Sequence, residues 1–207
     1  EITVRDWSSD VCSSDLSLEP MLAESWEQPT PTSYVFHIRK GVKFHNGEEC
    51  TADDVKFTLD RAKTPLGTSA HALIKDLTDV EVLDRYTVKI NLGRPVTPFL
   101  YALGESWAGI VNKKAVEEGD PAKNPVGTGP FKFVSWKKAD RVILERFEDY
   151  HGKKPNFKTL VVRAIPEASS RTIELQSGAV DVAYGIHFSD LDRKSTRLNS
   201  SHEPLSR

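Results

Sequence analysis

Hydrophobic and polar residues alternate with period two over Tyr34–Arg39, placing Tyr34, Phe36 and Ile38 on one face and Val35, His37 and Arg39 on the other. That pattern predicts a half-buried β-strand. Val42 and Phe44 resume the apolar rhythm after Gly41, and Asn46-Gly47 then reads as a tight turn, since both residues tolerate positive φ. Thr51 with Asp54 three residues on has the signature of a capping box, and Val55, Leu59 and Ala62 supply the stripe of an amphipathic helix. Val80–Leu83 and Tyr86–Leu92 alternate again, which predicts a hairpin turning at Asp84-Arg85.

Pro95–Leu103 is expected to hold a short helix, and Lys113–Glu118 another, closed by Gly119. Between Gly119 and Pro125 the chain is polar and punctuated by proline, the pattern of a linker. Phe131–Trp136 and Arg141–Phe147 form a third hairpin pattern about residues 137–140. Leu160–Ile165 reads as a strand, Glu167–Gln176 as a helix stopped by Gly178, and Val180–Tyr184 as a strand. A β-α-β succession of this kind suits a sheet covered by a helix, so the expected class is α/β with mixed α+β sheets.

The two ends break the pattern. Residues 6–16 (DWSSDVCSSDL) and 192–202 (DRKSTRLNSSH) are rich in Ser, Asp and Arg and show no hydrophobic period. One coding sequence for residues 192–202, reverse-complemented and read in a shifted frame, encodes residues 6–15. Unrelated protein segments should not be encoded by opposite strands of one DNA, and the segment resembles a translated sequencing-library adapter. Residues 1–16 and 192–207 are therefore expected to be non-native and are set aside. Cys12, Trp7 and the sequon Asn199-Ser200-Ser201 go with them, leaving Cys50 without an internal disulfide partner.

Composition narrows the classes further. The chain has 207 residues, 28 Lys+Arg and 30 Asp+Glu, for a net charge of −2. Lacking a basic block, it carries no electrostatic footprint for nucleic acid. Lacking 18 consecutive apolar residues, it contains no sequence signal of a membrane span.

Three stretches together carry a recognisable pattern. They are Tyr34-Val35-Phe36-His37-Ile38-Arg39-Lys40-Gly41-Val42-Lys43-Phe44-His45-Asn46-Gly47 with Thr51-Ala52-Asp53-Asp54-Val55, then Asn124-Pro125-Val126-Gly127-Thr128-Gly129-Pro130-Phe131, then Leu175-Gln176-Ser177-Gly178-Ala179-Val180-Asp181-Val182. In this order and spacing, residues 17–191 resemble the family 5 extracellular solute-binding proteins, the peptide-, dipeptide- and nickel-binding receptors of bacterial ABC importers. The resemblance implies a partial periplasmic-binding-protein type II-like fold with one lobe incomplete and the second lobe missing. Residues 17–120 would form a small mixed α/β subdomain of the first lobe, and 121–191 part of that lobe itself.

By the same resemblance, the expected function is the substrate-binding component of an ABC importer. It would capture a small solute, foremost a short peptide, and deliver it to a membrane permease. A nickel chelate, glutathione or an oligosaccharide is the alternative ligand within the family. A monomer in the periplasm or outside the cell is implied, lipid-anchored in a Gram-positive source, with the export signal lost to truncation. No cofactor is implied. Asn46, where an acidic residue is frequent, Cys50, at a usually apolar position, and the run Phe147-Glu148-Asp149-Tyr150-His151 depart from the family pattern and leave the substrate subtype open.

Candidate chemistry can then be weighed residue by residue. Glu48, Glu49, Asp53 and Asp54 form the densest carboxylate cluster, and a hydrolase would need two of them facing one cleft. Helix-start carboxylates accept backbone N–H bonds and complement the helix dipole, which is the stronger expectation. His37, His45, His71, His151 and His187 show no i, i+4 pairing and have no Cys partner, so no metal site is expected. His45, beside a turn, reads as a surface or strand-end residue. Gly127-Thr128-Gly129-Pro130 lacks the residues of a phosphate cradle and reads as a tight backbone crossing where only glycine fits. Cys50 has no nucleophile constellation around it and suits a buried position. Tyr101 and Trp107 flank a loop that faces the cleft in the family, so Ser106 and Trp107 are the ligand-binding candidates, with the small subdomain's core as the other place for these aromatics.

Overall fold

The strand predicted at Tyr34–Arg39 forms as β2 (Ser33–Ile38) in a computed structural model that describes residues 18, 20–64, 75–104 and 108–186. Tyr34, Phe36 and Ile38 are buried, whereas Val35 and His37 are half-exposed, as the alternation requires. Each fully buried aromatic or branched aliphatic side chain contributes about 1.5–3 kcal/mol, so one strand face is a substantial fraction of a domain's stability.

Four strands make the first sheet, in the order β1-β2-β4-β3, with β1 at Ala23–Thr30, β3 at Leu77–Asp84 and β4 at Thr87–Leu92. All three pairings are antiparallel. Tyr34 lies opposite Ile90, Phe36 opposite Val88, and Val80 opposite Ile90, which stacks the apolar face of each strand on its neighbour. Strand β1 escaped the sequence reading because it is an edge strand: only Ala23 is buried, and the register shifts twice along its pairing with β2.

The hairpin between β3 and β4 turns at Arg85-Tyr86, one residue later than expected. Asp84 stays in the ladder opposite Thr87, and its Oδ1 accepts a hydrogen bond from the Tyr86 N–H at 2.7 Å. An Asx turn of this kind lets the aspartate close the loop from within the strand.

Helix α1 (Ala52–Ala62) packs Val55, Leu59 and Ala62 against β3 and β4, and the capping box at Thr51/Asp54 is present. The core joins this helix to the sheet through Phe36, Ile38, Val42, Phe44, Cys50, Val55 and Leu59. Before the helix, residues 42–50 fold back on themselves, but not by the two-residue turn that two positive φ values would give. Only Gly47 has positive φ, at 88°. Its N–H donates to the Phe44 carbonyl, and the Phe44 N–H donates to the Glu48 carbonyl, both at 2.8 Å. That is the pattern of a three-residue loop with a glycine bulge.

Helices α2 (Phe99–Leu103) and α3 (Lys113–Glu118) occur where expected. Gly119 ends α3 in an extended conformation, φ −138°, rather than a left-handed one, and a Cβ there would lie 2.9 Å from the Ala115 carbonyl oxygen. The second sheet has the order β5-β6-β7, with β5 at Phe131–Lys137, β6 at Arg141–Arg146 and β7 at Thr159–Arg163.

Helix α4 (Ala168–Ser177) ends at Gly178 with φ 76°, as its sequence required. The strand expected at Val180–Tyr184 does not form. Val182 is 69% exposed and Tyr184 86% exposed, and no strand among the described residues pairs with this stretch. Alternation identifies faces, but a strand also needs a ladder partner.

Two compact units divide the chain, Glu1–Trp136 with Ile143–Leu160, and Lys137–Val142 with Val161–Arg207. Among the described residues no helix is long and apolar enough to cross a membrane.

Candidate functional site

The loop-and-bulge at residues 42–50 presents His45 to the Gly127–Gly129 segment, so two of the three motif stretches meet. The His45 N–H donates to the Gly127 carbonyl at 2.9 Å. Its ring is held at both nitrogens: Nδ1 lies 3.3 Å from the Gly127 N–H donor, and Nε2 lies 3.0 Å from the Gly129 carbonyl oxygen. An amide N–H can only donate and a carbonyl can only accept. The pair therefore fixes the neutral tautomer, with the proton on Nε2 and a bare Nδ1. Phe147 packs against the ring in a T-shaped arrangement, 5.1 Å between centroids. Burial pushes the imidazole below the ordinary histidine value, partly offset by the Gly129 hydrogen bond and assisted by the Lys132 charge. His45, read from its position beside a turn as a surface or strand-end residue, is half-buried and acts as a tether.

Close by, the start of α1 is bonded to the start of α3. Asp54 Oδ2 accepts from the Thr51 N–H and hydroxyl, both at 3.1 Å, while Asp54 Oδ1 accepts from the Lys113 N–H at 3.0 Å. Thr58 returns its hydroxyl to the Asp54 carbonyl at 2.8 Å and accepts from the Val111 N–H at 3.1 Å. Asn112 caps α3 by accepting from the Ala115 N–H at 2.8 Å.

The four clustered carboxylates do not share a cleft. Glu48 accepts from Asn112 Nδ2 at 3.0 Å and from Lys114 Nζ at 3.1 Å, and these bonds hold it below the usual carboxylate range. Glu49 points elsewhere, accepting from the Tyr86 hydroxyl at 2.8 Å, Arg85 at 2.7 Å and the Gly41 N–H at 3.0 Å, with its pKa likewise lowered. Asp54 is committed to the helix starts and Asp53 is exposed on the first turn. Acid/base hydrolysis needs one carboxyl raised beside one ionised. The two shifted members of this group, Glu48 and Glu49, both move down.

An open cleft of about 340 Å³ lies between the loop and α3, lined by Asn46, Glu48, Lys114, Glu118, Asp120 and Asn124 among others. Asn46 Nδ2 donates to Asn112 Oδ1 at 3.2 Å, joining the loop to the cap. This lining offers donors and acceptors of both charges, so it can hold a polar group. Among the described residues no group of three or more His, Cys, Asp or Glu could hold a metal ion.

Ser106 and Trp107, the residues singled out for ligand contact, lie outside the described residues, as do His71 and His187. On either side of them the chain is anchored: Phe99 and Leu103 before, Ala108 and Ile110 after, are all in the core. Tyr101 is 47% exposed and so is not part of that core. Cys50 is buried, as expected. The glycine segment is a close backbone crossing, but its first glycine is not required by space. A Cβ on Gly127 would meet only His45 and the Ile110 carbonyl, each at 3.9 Å. What the crossing needs is the Gly127 backbone N–H and C=O, which composition alone does not reveal. Thr128 is 1% exposed, and its hydroxyl has no hydrogen-bond partner among the described residues.

A family model described as "Bacterial extracellular solute-binding proteins, family 5 Middle" matches residues 17–204. The dipeptide-binding protein of Escherichia coli (strain K12) is 35% identical over 189 residues, which cover 79% of this chain and 35% of that protein. Among solved structures, the ABC transporter-associated periplasmic binding protein DppA from Helicobacter pylori, in complex with the peptide STSA, superposes with a TM-score of 0.82 at 31% identity. The match covers 94% of this chain and 43% of that one. NikZ from Campylobacter jejuni in complex with Ni(L-His) gives a TM-score of 0.78 at 31% identity, covering 86% of this chain and 37% of that one. The chain therefore spans 35–43% of the length of these relatives.

Proposed function

The chain belongs to the bacterial extracellular solute-binding proteins of family 5, and from that membership we propose that it is part of the substrate-binding component of an ABC importer, with a short peptide as its ligand. The observation that carries this reading is the combination of fold and relatives. A relative at 35% identity is named for dipeptide binding, and a structure at TM-score 0.82 holds the peptide STSA. The geometry is of a scaffold kind: the motif residues His45, Gly127 and Gly129 are committed to hydrogen bonds with one another.

In this reading no bond is made or broken. Ligand binding shifts the population between open and closed arrangements through contacts made only in the closed one, and a permease reads the closed form. The protein acts as a monomer in the periplasm or at the outer face of the cell. Ser106 and Trp107 contribute to the ligand wall, supported by the anchoring of their flanks in the core and by the exposure of Tyr101 on the same segment. A nickel chelate is the second reading, favoured by the NikZ match at 31% identity.

Thermal shift and calorimetry on the intact protein with di- to tetrapeptides, nickel–histidine and glutathione test both readings. A rise in Tm with peptide alone supports the first. A rise with nickel–histidine alone replaces it with the second, and a flat response to all solutes overturns transport.

A further inference from the structure

Three hydrogen bonds join His45 to Gly127 and Gly129, and only one depends on the ring being neutral. The backbone bond from His45 N–H to the Gly127 carbonyl is indifferent to protonation, and Nε2–H donates to the Gly129 carbonyl in both charge states. The Gly127 N–H needs a lone pair on Nδ1, 3.3 Å away. Protonation turns that acceptor into a donor, and two N–H groups then face each other.

We propose that His45 is a pH-sensitive latch, closing the Gly127–Gly129 segment onto the 42–50 loop when neutral and releasing the Gly127 amide when protonated, with the backbone bond as the remaining pivot. Histidine is the side chain whose ordinary titration lies nearest physiological pH, and mild acid is the signal it reads. The inference holds whatever the ligand is.

Among the described residues, the charged groups around the ring do not offer a counter-charge to keep the latch shut in acid. Lys132, on β5, disfavours the imidazolium and is itself 3.7 Å from Glu145. Phe147 contributes an apolar ring, uncharged and set at 76° to the imidazole. Asp149, two residues on, is paired with Lys43 of the loop at 3.0 Å, and Glu48 is paired with Lys114 at 3.1 Å. The Gly127–Pro130 segment carries no ionisable side chain.

The test is hydrogen exchange and histidine 15N NMR on the whole chain between pH 7.5 and 5. The expected result is a bare Nδ1 at pH 7.5. The protection of the Gly127 amide, after correction for intrinsic exchange, should then fall at least tenfold along the His45 titration, while the Phe36 amide of β2 stays protected. His45→Gln cannot titrate, and its Gly127 protection should be independent of pH. Should that variant not fold, the native titration still decides. A proton on Nδ1 at pH 7.5, Gly127 protection flat through the titration, or joint loss at Gly127 and Phe36 would each overturn the latch.

Discussion

Asp54 and Lys113 tie two helix starts together: one carboxylate oxygen of Asp54 accepts from the Thr51 N–H at 3.1 Å, and the other accepts from the Lys113 N–H at 3.0 Å. A capping box ordinarily serves its own helix. Here the same side chain also satisfies the first orphan donor of α3, whose cap Asn112 in turn binds Glu48 and Asn46. Glu48 and Asp54 are thus connective tissue among loop, α1 and α3, while Glu49 ties the loop to the Arg85-Tyr86 turn, which explains why these carboxylates point in different directions.

Asp54→Ala should lower the stability of the chain by about 2–4 kcal/mol, combining a lost cap with a lost charge-assisted bond at a buried site. Asp54→Asn keeps one acceptor oxygen and should lose about half as much. Urea unfolding of both variants measures this. A loss below about 1 kcal/mol for the alanine variant would show that neither helix start depends on the carboxylate.

Much of the fold was legible because its signals are local. The period-two runs at Tyr34–Arg39 and Tyr86–Leu92, the Thr51/Asp54 box and the Gly178 stop each encode one element and need no distant partner. Strand β1 was hidden by its polar edge character, and Val180–Tyr184 misled because its alternation has no ladder partner among the described residues. The site was less legible. That His45 binds Gly127 and Gly129 is a contact across more than eighty residues, carried largely by backbone groups that leave no mark on composition.

Stability should fall as pH drops below the ordinary histidine value of about 6.5. Burial lowers the folded-state pKa of His45, so in the window between 6.5 and that lowered value the unfolded chain binds the proton first. The slope contributed is at most about 1.4 kcal/mol per pH unit, and it vanishes below the folded value, where both states are protonated. His151, lowered by burial and then by the Arg39 charge, adds to the same window. Glu48 and Glu49, lowered by their hydrogen bonds, lose their contribution only near pH 4.5 and below. Urea midpoints at pH 7.5, 6.0 and 5.0 should therefore decline in the native chain and decline less in His45→Gln. Equal declines in both would remove His45 from the account.

Thr128 offers a test of a different kind. Its hydroxyl is buried without a partner among the described residues, and a group in that position loses its hydration with nothing to replace it. Thr128→Val keeps the shape and removes the hydroxyl. The variant should be neutral or more stable by up to about 1 kcal/mol in thermal or urea unfolding. A loss of more than about 1 kcal/mol would mean that the hydroxyl has a partner in the folded protein.

Two glycines that look alike in the sequence should respond in opposite ways to alanine. Gly47 has φ at 88°, in the left-handed region, where a Cβ meets its own following carbonyl. Gly47→Ala should cost about 1–2 kcal/mol, and Gly47→Asn less, because asparagine tolerates this conformation. The loss should also loosen the loop that presents His45, since the Gly47 N–H closes it onto Phe44 at 2.8 Å. At Gly127 φ is not positive, and an added Cβ would find only ordinary contacts at 3.9 Å. Gly127→Ala leaves the N–H and C=O that His45 uses, so its stability should stay within about 0.5 kcal/mol of the native chain or rise slightly through the stiffer unfolded state. Denaturation of the two alanine variants side by side decides between backbone conformation and local space as the reason for glycine at each position. Equal losses at 47 and 127 would restore the steric explanation for the Gly127 crossing.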